Sequence, residues 1–255
     1  MAVMIGVSVR TSMSVLGCVM VAVLVYTIAT DGLPFRIQLL TRWMAELLID
    51  FYINVAVIGA WVVYKESSWI MAAVWVILLI CFGSVTTCGY VVMQFFKLSP
   101  EESSKDPLYF VLVRHEKSDK DVTEHSKGPS VVTSMIIFSV LGFLMLGTLL
   151  YTIIVAGSPF RAELYTPWLV ATLIDFYINV YALSVWVAYK ESSWISAFVW
   201  ILFLVCFGSI TTCTYLVKQL FNLSTEQPAY LILFRNNHRD LKSSDSPLMV
   251  AAAYE

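Results

Sequence analysis

The stretch IDFYINVAVIGAWVVYKESSWI, residues 49–70, decides the fold because the chain contains it twice. Residues 174–195 read IDFYINVYALSVWVAYKESSWI, 125 positions later. Apolar residues match by chance between hydrophobic helices, whereas rare and polar residues do not. The eight tryptophans form four pairs at this spacing, and four further pairs keep the same register: Asp50/Asp175, Asn54/Asn179, Lys65/Lys190 and Glu66/Glu191. We therefore interpret the chain as a tandem duplication.

The composition is that of a multi-pass integral membrane protein. Hydrophobic residues make up 59% of the chain and charged residues only 13%, whereas soluble domains carry about 25% charged residues. The mean hydropathy is +0.77. We expect the lipid bilayer to be the main partner. A net charge of −2 gives no basic surface for nucleic acid.

Six apolar runs predict the fold class: an all-α, polytopic protein of six transmembrane helices in two three-helix repeats. The runs cover residues 11–30, 43–64, 69–96, 133–156, 168–189 and 194–221. The predicted domains are a first repeat (11–97), a polar linker with a short interfacial segment (98–132), a second repeat (133–222), and an interfacial segment with a disordered tail (223–255).

An odd number of spans in each repeat predicts that the two repeats have opposite orientations in the membrane. This inverted arrangement is common in secondary transporters, and it places Lys65 and Lys190 on opposite membrane faces. With this topology, seven Lys and Arg residues lie on one side and nine on the other. The small difference favours a cytoplasmic linker.

Asp50 is the first candidate site residue, because it lies 15 positions before Lys65, about 22 Å along a helix. A carboxylate at that depth is a functional hypothesis by default. We expect the third span of the same repeat to bring Ser84 and Thr87 level with Asp50 and Asn54. The second repeat would form an equivalent group, and these residues complete the set: Asp175, Asn179, Ser209 and Thr212. Either these groups bind a proton, a cation or a polar head group, or they are structural contacts between helices.

The charged pairs that follow the repeated stretches favour a different role. Trp and Lys anchor helices at membrane interfaces, and contact with head groups or substrate is the alternative. The candidate anchors are Trp61, Lys65, Glu66, Trp69, Trp186, Lys190, Glu191 and Trp194. The three histidines lie in polar stretches and the five cysteines in apolar runs, so we expect no metal site and no cofactor.

Three functions remain open, since the sequence contains no recognisable catalytic motif and an enzyme is the less favoured class. The leading hypothesis is a transporter or carrier of a small solute, coupled to a proton or cation at Asp50 and Asp175. The alternative is an enzyme or accessory protein that acts on an isoprenoid, carotenoid or other lipid in the bilayer. The third is a membrane scaffold without a ligand. A pore or polar cavity that reaches both Asp residues would favour the transporter. A lateral, tryptophan-lined cleft open to lipid would favour the lipid alternative, and a tightly packed bundle without a cavity would favour the scaffold.

Four motifs resemble a family of small plant membrane proteins that is defined as a domain of unknown function of this length. They are TDGLPFR (30–36), DFYINV (50–55), YKESSW (64–69) and CFGSVTTC (81–88). The resemblance implies a plant source and a multi-pass protein, and it brings no activity or site residues. One repeat is also similar to short bacterial three-span proteins and to the plastid membrane protein linked to neoxanthin formation. Their shared pattern of Asp, Trp, Glu and a Gly-Ser step supports only the lipid alternative.

Overall fold

The computed structural model describes residues 2–113, 130–161, 164–223 and 229–233, and this part of the chain is all-α, without strands. Its α-helices are α1 (Ala2–Asp31), α2 (Arg42–Lys65), α3 (Trp69–Phe82), α4 (Ser84–Phe96), α5 (Pro100–Lys105), α6 (Pro107–Leu112), α7 (Val131–Ala156), α8 (Pro167–Lys190), α9 (Trp194–Phe207) and α10 (Ser209–Phe221). Two 3-10 helices cover Ile37–Leu39 and Ala229–Leu233. Most of the predicted linker (114–129) and of the predicted tail (from 234) lies outside the described residues.

Four helices, α1, α2, α7 and α8, are long and apolar enough to cross a membrane, by length and composition. Equivalent threonines begin the second long helix of each repeat. Thr41 accepts a hydrogen bond from the backbone of Met44, and Thr166 accepts one from Leu169. Such side-chain caps satisfy backbone N–H groups that have no partner within the helix.

The predicted third span of each repeat is not a continuous helix, and the prediction of six spans is not confirmed. Gly83 ends α3 and Gly208 ends α9, each with φ +52°. Glycine adopts this backbone conformation at little cost, unlike residues with a side chain. The 28 residues of each predicted span form two helices of 14 and 13 residues, separated by the glycine.

These two helices fold back on each other as a helical hairpin. Glu66, which precedes α3, accepts a hydrogen bond of 2.9 Å from the Tyr90 hydroxyl of α4. The Tyr90 ring also lies 5.0 Å from the ring of Trp75 in α3, although fifteen residues would separate them by about 22 Å in a straight helix. In the second repeat, Tyr215 makes the same two contacts, with Glu191 and Trp200.

The second long helices of the two repeats end close together, so the prediction of inverted repeats is not confirmed. Lys65 donates to Phe110 O at 2.7 Å, and the Tyr189 hydroxyl donates to Asp106 Oδ2 at 3.0 Å. Asp106 and Phe110 belong to one short segment around α6, a helix about 9 Å long. The C-terminal ends of α2 and α8 therefore lie at the same end of the molecule, here called the lysine end. The hairpin causes this, because it leaves each repeat with two long helices instead of three spans.

The repeats interlock, since the second arm of each hairpin packs against the other repeat. Helix α3 packs on α2, whereas α4 packs on α1 and on α8. In the same way α9 packs on α8, whereas α10 packs on α7 and on α2. Helices α2 and α8 also pack on each other. The hairpin tips are therefore brought to side chains of the opposite repeat.

Candidate functional site

The carboxylates of Asp50 and Asp175 each bind the hairpin tip of the opposite repeat. Asp50 Oδ1 accepts a hydrogen bond from the backbone N–H of Ser209 at 2.6 Å. Asp175 Oδ1 accepts one from the backbone N–H of Ser84 at 2.7 Å. The prediction that Asp50 contacts Ser84 within its own repeat is wrong, because α4 packs on α8 rather than on α2.

The asparagine one turn further along each helix extends the same crossed pairing. Thr212 donates to Asn54 Oδ1 and Thr87 donates to Asn179 Oδ1, each at 2.8 Å. The eight predicted site residues thus form two groups, here called the crossed clusters: Asp50, Asn54, Ser209 and Thr212 in one, and Asp175, Asn179, Ser84 and Thr87 in the other.

The crossed clusters act as caps of the hairpin tips. Ser84 and Ser209 are the first residues of α4 and α10, where N–H groups lack a helical partner and the helix dipole is positive. A carboxylate accepts hydrogen bonds from these N–H groups, and its negative charge interacts favourably with the positive end of the dipole. There is little free space at the contact, since a Cβ atom on Gly208 would lie 2.8 Å from Asp50 Cγ. The geometry supports the structural alternative for these residues.

A cavity of about 670 Å³ lies between the two repeats, on the lysine-end side of the crossed clusters. Helices α1, α2, α4, α6, α7, α8 and α10 contribute to its walls. The lining is almost wholly apolar, and it includes Met13, Ile58, Trp61, Phe138, Leu183 and Trp186. Thr87 is the member of the crossed clusters that lines it, whereas Asp50 and Asp175 do not.

Two short segments cover the cavity at the lysine end. The first is α6, which contributes Leu108, Val111 and Leu112 to the lining. The second is the 3-10 helix Ala229–Leu233, which contributes Ala229, Ile232 and Leu233. We call them the cover segments. They occupy corresponding positions in the two repeats, so matching parts of both line this end of the cavity.

Each cover segment is held by a buried lysine. The Lys65 ammonium group donates to Phe110 O and Val113 O, and that of Lys190 donates to Ile232 O. Only 7% of Lys65 and 3% of Lys190 is exposed. Both ammonium groups are directed to backbone carbonyl oxygens inside the protein, whereas the predicted role was anchoring at the membrane interface, with contact to head groups or substrate as the alternative.

The other predicted anchors divide into three kinds. Trp61 and Trp186 line the cavity. Glu66 and Glu191 accept hydrogen bonds from the tyrosines of α4 and α10. Trp69 and Trp194 are 79% and 86% exposed, although Trp69 also contributes to the cavity lining. Anchoring at the membrane interface stays a prediction for these two.

Sequence reasoning missed the cavity, because its apolar lining cannot be told from ordinary core residues by pattern. One signal was present. The apolar segment 107–113 is too short to span a membrane, and a similar segment occurs near residue 230. The cover segments lie in these two stretches. Among the described residues no three His, Cys, Asp or Glu side chains converge as metal ligands.

A family model described as a protein of unknown function (DUF1475) matches the chain twice, over residues 2–121 and 102–240. The two overlapping matches cover nearly the whole sequence and agree with its internal repetition. No curated protein and no solved structure matches the chain. The plant source and the similarity to the neoxanthin-related protein stay predictions.

Proposed function

The chain belongs to the DUF1475 family of proteins of unknown function, and we propose that it binds a lipophilic molecule in the cavity between its repeats. The cavity itself carries this proposal. Its volume of about 670 Å³ falls within the roughly 300–1,000 Å³ of small-molecule sites, which are mostly apolar and formed before binding. An isoprenoid, a carotenoid or another lipid has the chemistry of this lining.

In the membrane arrangement that fits this function, α1, α2, α7 and α8 cross the bilayer and both hairpins enter from the lysine end. Backbone groups at membrane depth need partners within the protein. Asp50 and Asp175 supply such partners to the hairpin tips. The carboxylates therefore have a structural reason to lie in the membrane.

The charge distribution supports a cytoplasmic lysine end. Of the 16 Lys and Arg residues in the chain, Arg36, Arg42 and Arg161 belong to the end opposite Lys65. The other thirteen belong to helices, loops or the tail that are joined to the lysine end in the sequence. An excess of Lys and Arg marks the cytoplasmic side. The cavity and its cover segments would then face the cytoplasm.

The geometry favours a lipophilic ligand over the transport of a small solute coupled to a proton or cation. That hypothesis requires a polar path to Asp50 and Asp175. The cavity does not reach either carboxylate, and one oxygen of each already accepts a backbone hydrogen bond. Trp61 and Trp186 in the cavity lining agree with one part of the feature expected for the lipid alternative, a lateral, tryptophan-lined cleft open to lipid.

The test is to fill the cavity and to measure the bound molecule. Ala182 lines the cavity, whereas Ala56 is exposed on α2 and does not. The wild-type protein, Ala182→Phe and Ala56→Phe are purified in the same detergent and extracted, and lipophilic compounds are quantified per protein by mass spectrometry. We expect wild type and Ala56→Phe to retain equal amounts and Ala182→Phe to lose most of its ligand.

Two results would contradict the proposal. The first is equal retention by all three proteins, which would place the bound lipid on the outer surface. The second is the absence of any lipophilic compound above the detergent blank, together with a higher melting temperature of Ala182→Phe. That combination would favour the scaffold without a ligand, because filling an empty cavity stabilises a core.

A further inference from the structure

Two hydrogen-bonding groups on the cavity wall have no partner. Ser134 of α7 lines the cavity and is 6% exposed, and its hydroxyl makes no hydrogen bond with any residue that the structure describes. Trp186 of α8 also lines the cavity and is 9% exposed. Its indole Nε1 is buried and has no partner among the described residues.

The corresponding positions of the first repeat lack this feature. Val9 stands where the second repeat has Ser134, and it has no polar group to satisfy. Trp61 corresponds to Trp186, and its Nε1 donates to Leu112 O of a cover segment at 3.2 Å. The cavity is therefore asymmetric, because the unsatisfied groups both belong to the second repeat.

The residues lining the cavity also include no Lys, Arg, Asp or Glu among those that the structure describes. The buried ammonium groups of Lys65 and Lys190 are directed to carbonyl oxygens of the cover segments. A charged head group would lose its hydration in the cavity without gaining an ionic partner, and this is costly. The walls therefore favour a neutral molecule.

We propose that the ligand is a neutral hydrocarbon molecule with hydrogen-bond-accepting oxygen, and that Ser134 and Trp186 are the side chains of the cavity wall that donate hydrogen bonds to it. The inference rests on the proposed function and adds the chemical class of the ligand. A buried donor without a partner is unfavourable, and an ester, ketone or alcohol oxygen would satisfy it. The ligand then binds in one orientation, with its oxygen at the wall formed by the second repeat.

Methyl palmitate and heptadecane test this inference, because they have the same number of carbon atoms and only the first has acceptor oxygens. Full-length protein in detergent is incubated with an equimolar mixture, separated from excess lipid, and extracted for gas chromatography. The measured quantity is the ratio of bound ester to bound alkane. The amount bound to Ala182→Phe, whose cavity is filled, is subtracted as micelle background.

We expect wild type to prefer the ester, and Ser134→Ala and Trp186→Phe each to lower the ratio by about two- to tenfold, the effect of one hydrogen bond. Binding of heptadecane should stay unchanged. Trp75→Phe is the control, since it removes a buried indole N–H that has no partner among the described residues and does not line the cavity, and its ratio should equal that of wild type. The melting temperature of each variant verifies that it is folded.

The outcomes separate this inference from the proposed function. If both compounds bind wild type and the ratio in Trp186→Phe and Ser134→Ala is the same as in wild type and Trp75→Phe, the polar recognition is wrong and the apolar cavity site stands. If neither compound binds above background, the cavity site itself is wrong and the inference fails with it. A variant that loses both compounds equally shows a role of that side chain in packing alone, which also contradicts the inference.

Discussion

Asp50 Oδ1 lies 2.6 Å from the backbone nitrogen of Ser209, a residue 159 positions later in the other repeat. The equivalent contact joins Asp175 to Ser84 at 2.7 Å. Each carboxylate thus caps the second helix of the hairpin that belongs to the opposite repeat. This exchange links the two repeats through side chains of α2 and α8. It explains why a buried carboxylate, a hairpin glycine and a serine occur together in both repeats.

The hairpin tips should not tolerate a side chain. A Cβ atom on Gly83 would lie 2.8 Å from Phe51 Cζ and 2.9 Å from Asp175 Cγ, and the backbone has φ +52°. We expect Gly83→Ala to destabilise the protein by about 2 kcal/mol or more, from backbone strain and overpacking. The measurement is the midpoint of thermal unfolding in detergent, followed by tryptophan fluorescence.

Gly89→Ala is the control for that variant. Gly89 lies within α4, and an added Cβ atom would meet nothing within 4 Å. Because alanine has the higher helix propensity, this variant should be neutral or slightly stabilising. Equal melting temperatures for the two variants would show that the tip is not tightly packed against Asp175.

The carboxylate of Asp50 should be needed as an acceptor rather than as a charge. Asp50→Ala leaves the Ser209 N–H without a partner, and we expect a loss of about 1–3 kcal/mol in the free energy of unfolding. Asp50→Asn keeps an oxygen acceptor and should lose less. The measurement is chemical unfolding in detergent, with Asp31→Ala as the control, since the Asp31–Arg36 pair is partly exposed and such pairs contribute little.

A different order of stability would favour the hypothesis that Asp50 binds an ion. If Asp50→Asn is as harmful as Asp50→Ala, the negative charge itself is required at this position. Dependence of the wild-type melting temperature on a monovalent cation, lost in Asp50→Asn, would support a bound ion. The capping role predicts no such dependence.

Loss of the Lys65 ammonium group should release a cover segment. Lys65→Met keeps the apolar side chain and removes the hydrogen bonds to Phe110 O and Val113 O. Because hydrogen bonds from charged donors contribute about 1.5–3 kcal/mol, we expect lower stability and faster proteolysis near α6. Lys190→Met should have the same effect on the segment around Ile232.

Lys218→Met is the matched control, because Lys218 is exposed and its ammonium group lies over the Trp200 ring at 4.8 Å. A cation–π contact of this kind contributes about 0.5–1 kcal/mol. Proteolysis near α6 should be unchanged in this variant. Equal protection of the segment in Lys65→Met and wild type would mean that apolar packing alone holds the cover in place.

The orientation of the two repeats can be tested by labelling. Single cysteines replace Ser67, Ser192, Phe35 and Phe160 in a background whose five native cysteines are changed to alanine. With the arrangement proposed above, a membrane-impermeant maleimide should label positions 35 and 160 in intact cells, and positions 67 and 192 only after permeabilisation. Labelling of 67 and 192 from opposite sides would restore the inverted arrangement.

The sequence alone determined that the chain is duplicated, that its helices are those of a membrane protein, and which polar residues form its central groups. The register of Asp50 with Asp175 and of Asn54 with Asn179 is visible without a structure. These inferences hold because apolar length and rare-residue spacing are local properties of the chain. The family match over residues 2–240 agrees with them.

Only the tertiary structure decided how the third apolar run of each repeat is folded, and with it the orientation of the repeats and the partners of Asp50 and Asp175. A run of 28 mostly apolar residues has the same mean hydropathy whether it forms one long helix or a hairpin of two short helices. Gly83 permits the reversal, but glycine is also tolerated within membrane helices. The reversal is stabilised by Asp175, which lies in the other repeat and caps Ser84. A contact between residues 91 positions apart is absent from any local pattern, so the physical cause of the hairpin lies in the packing of the two repeats.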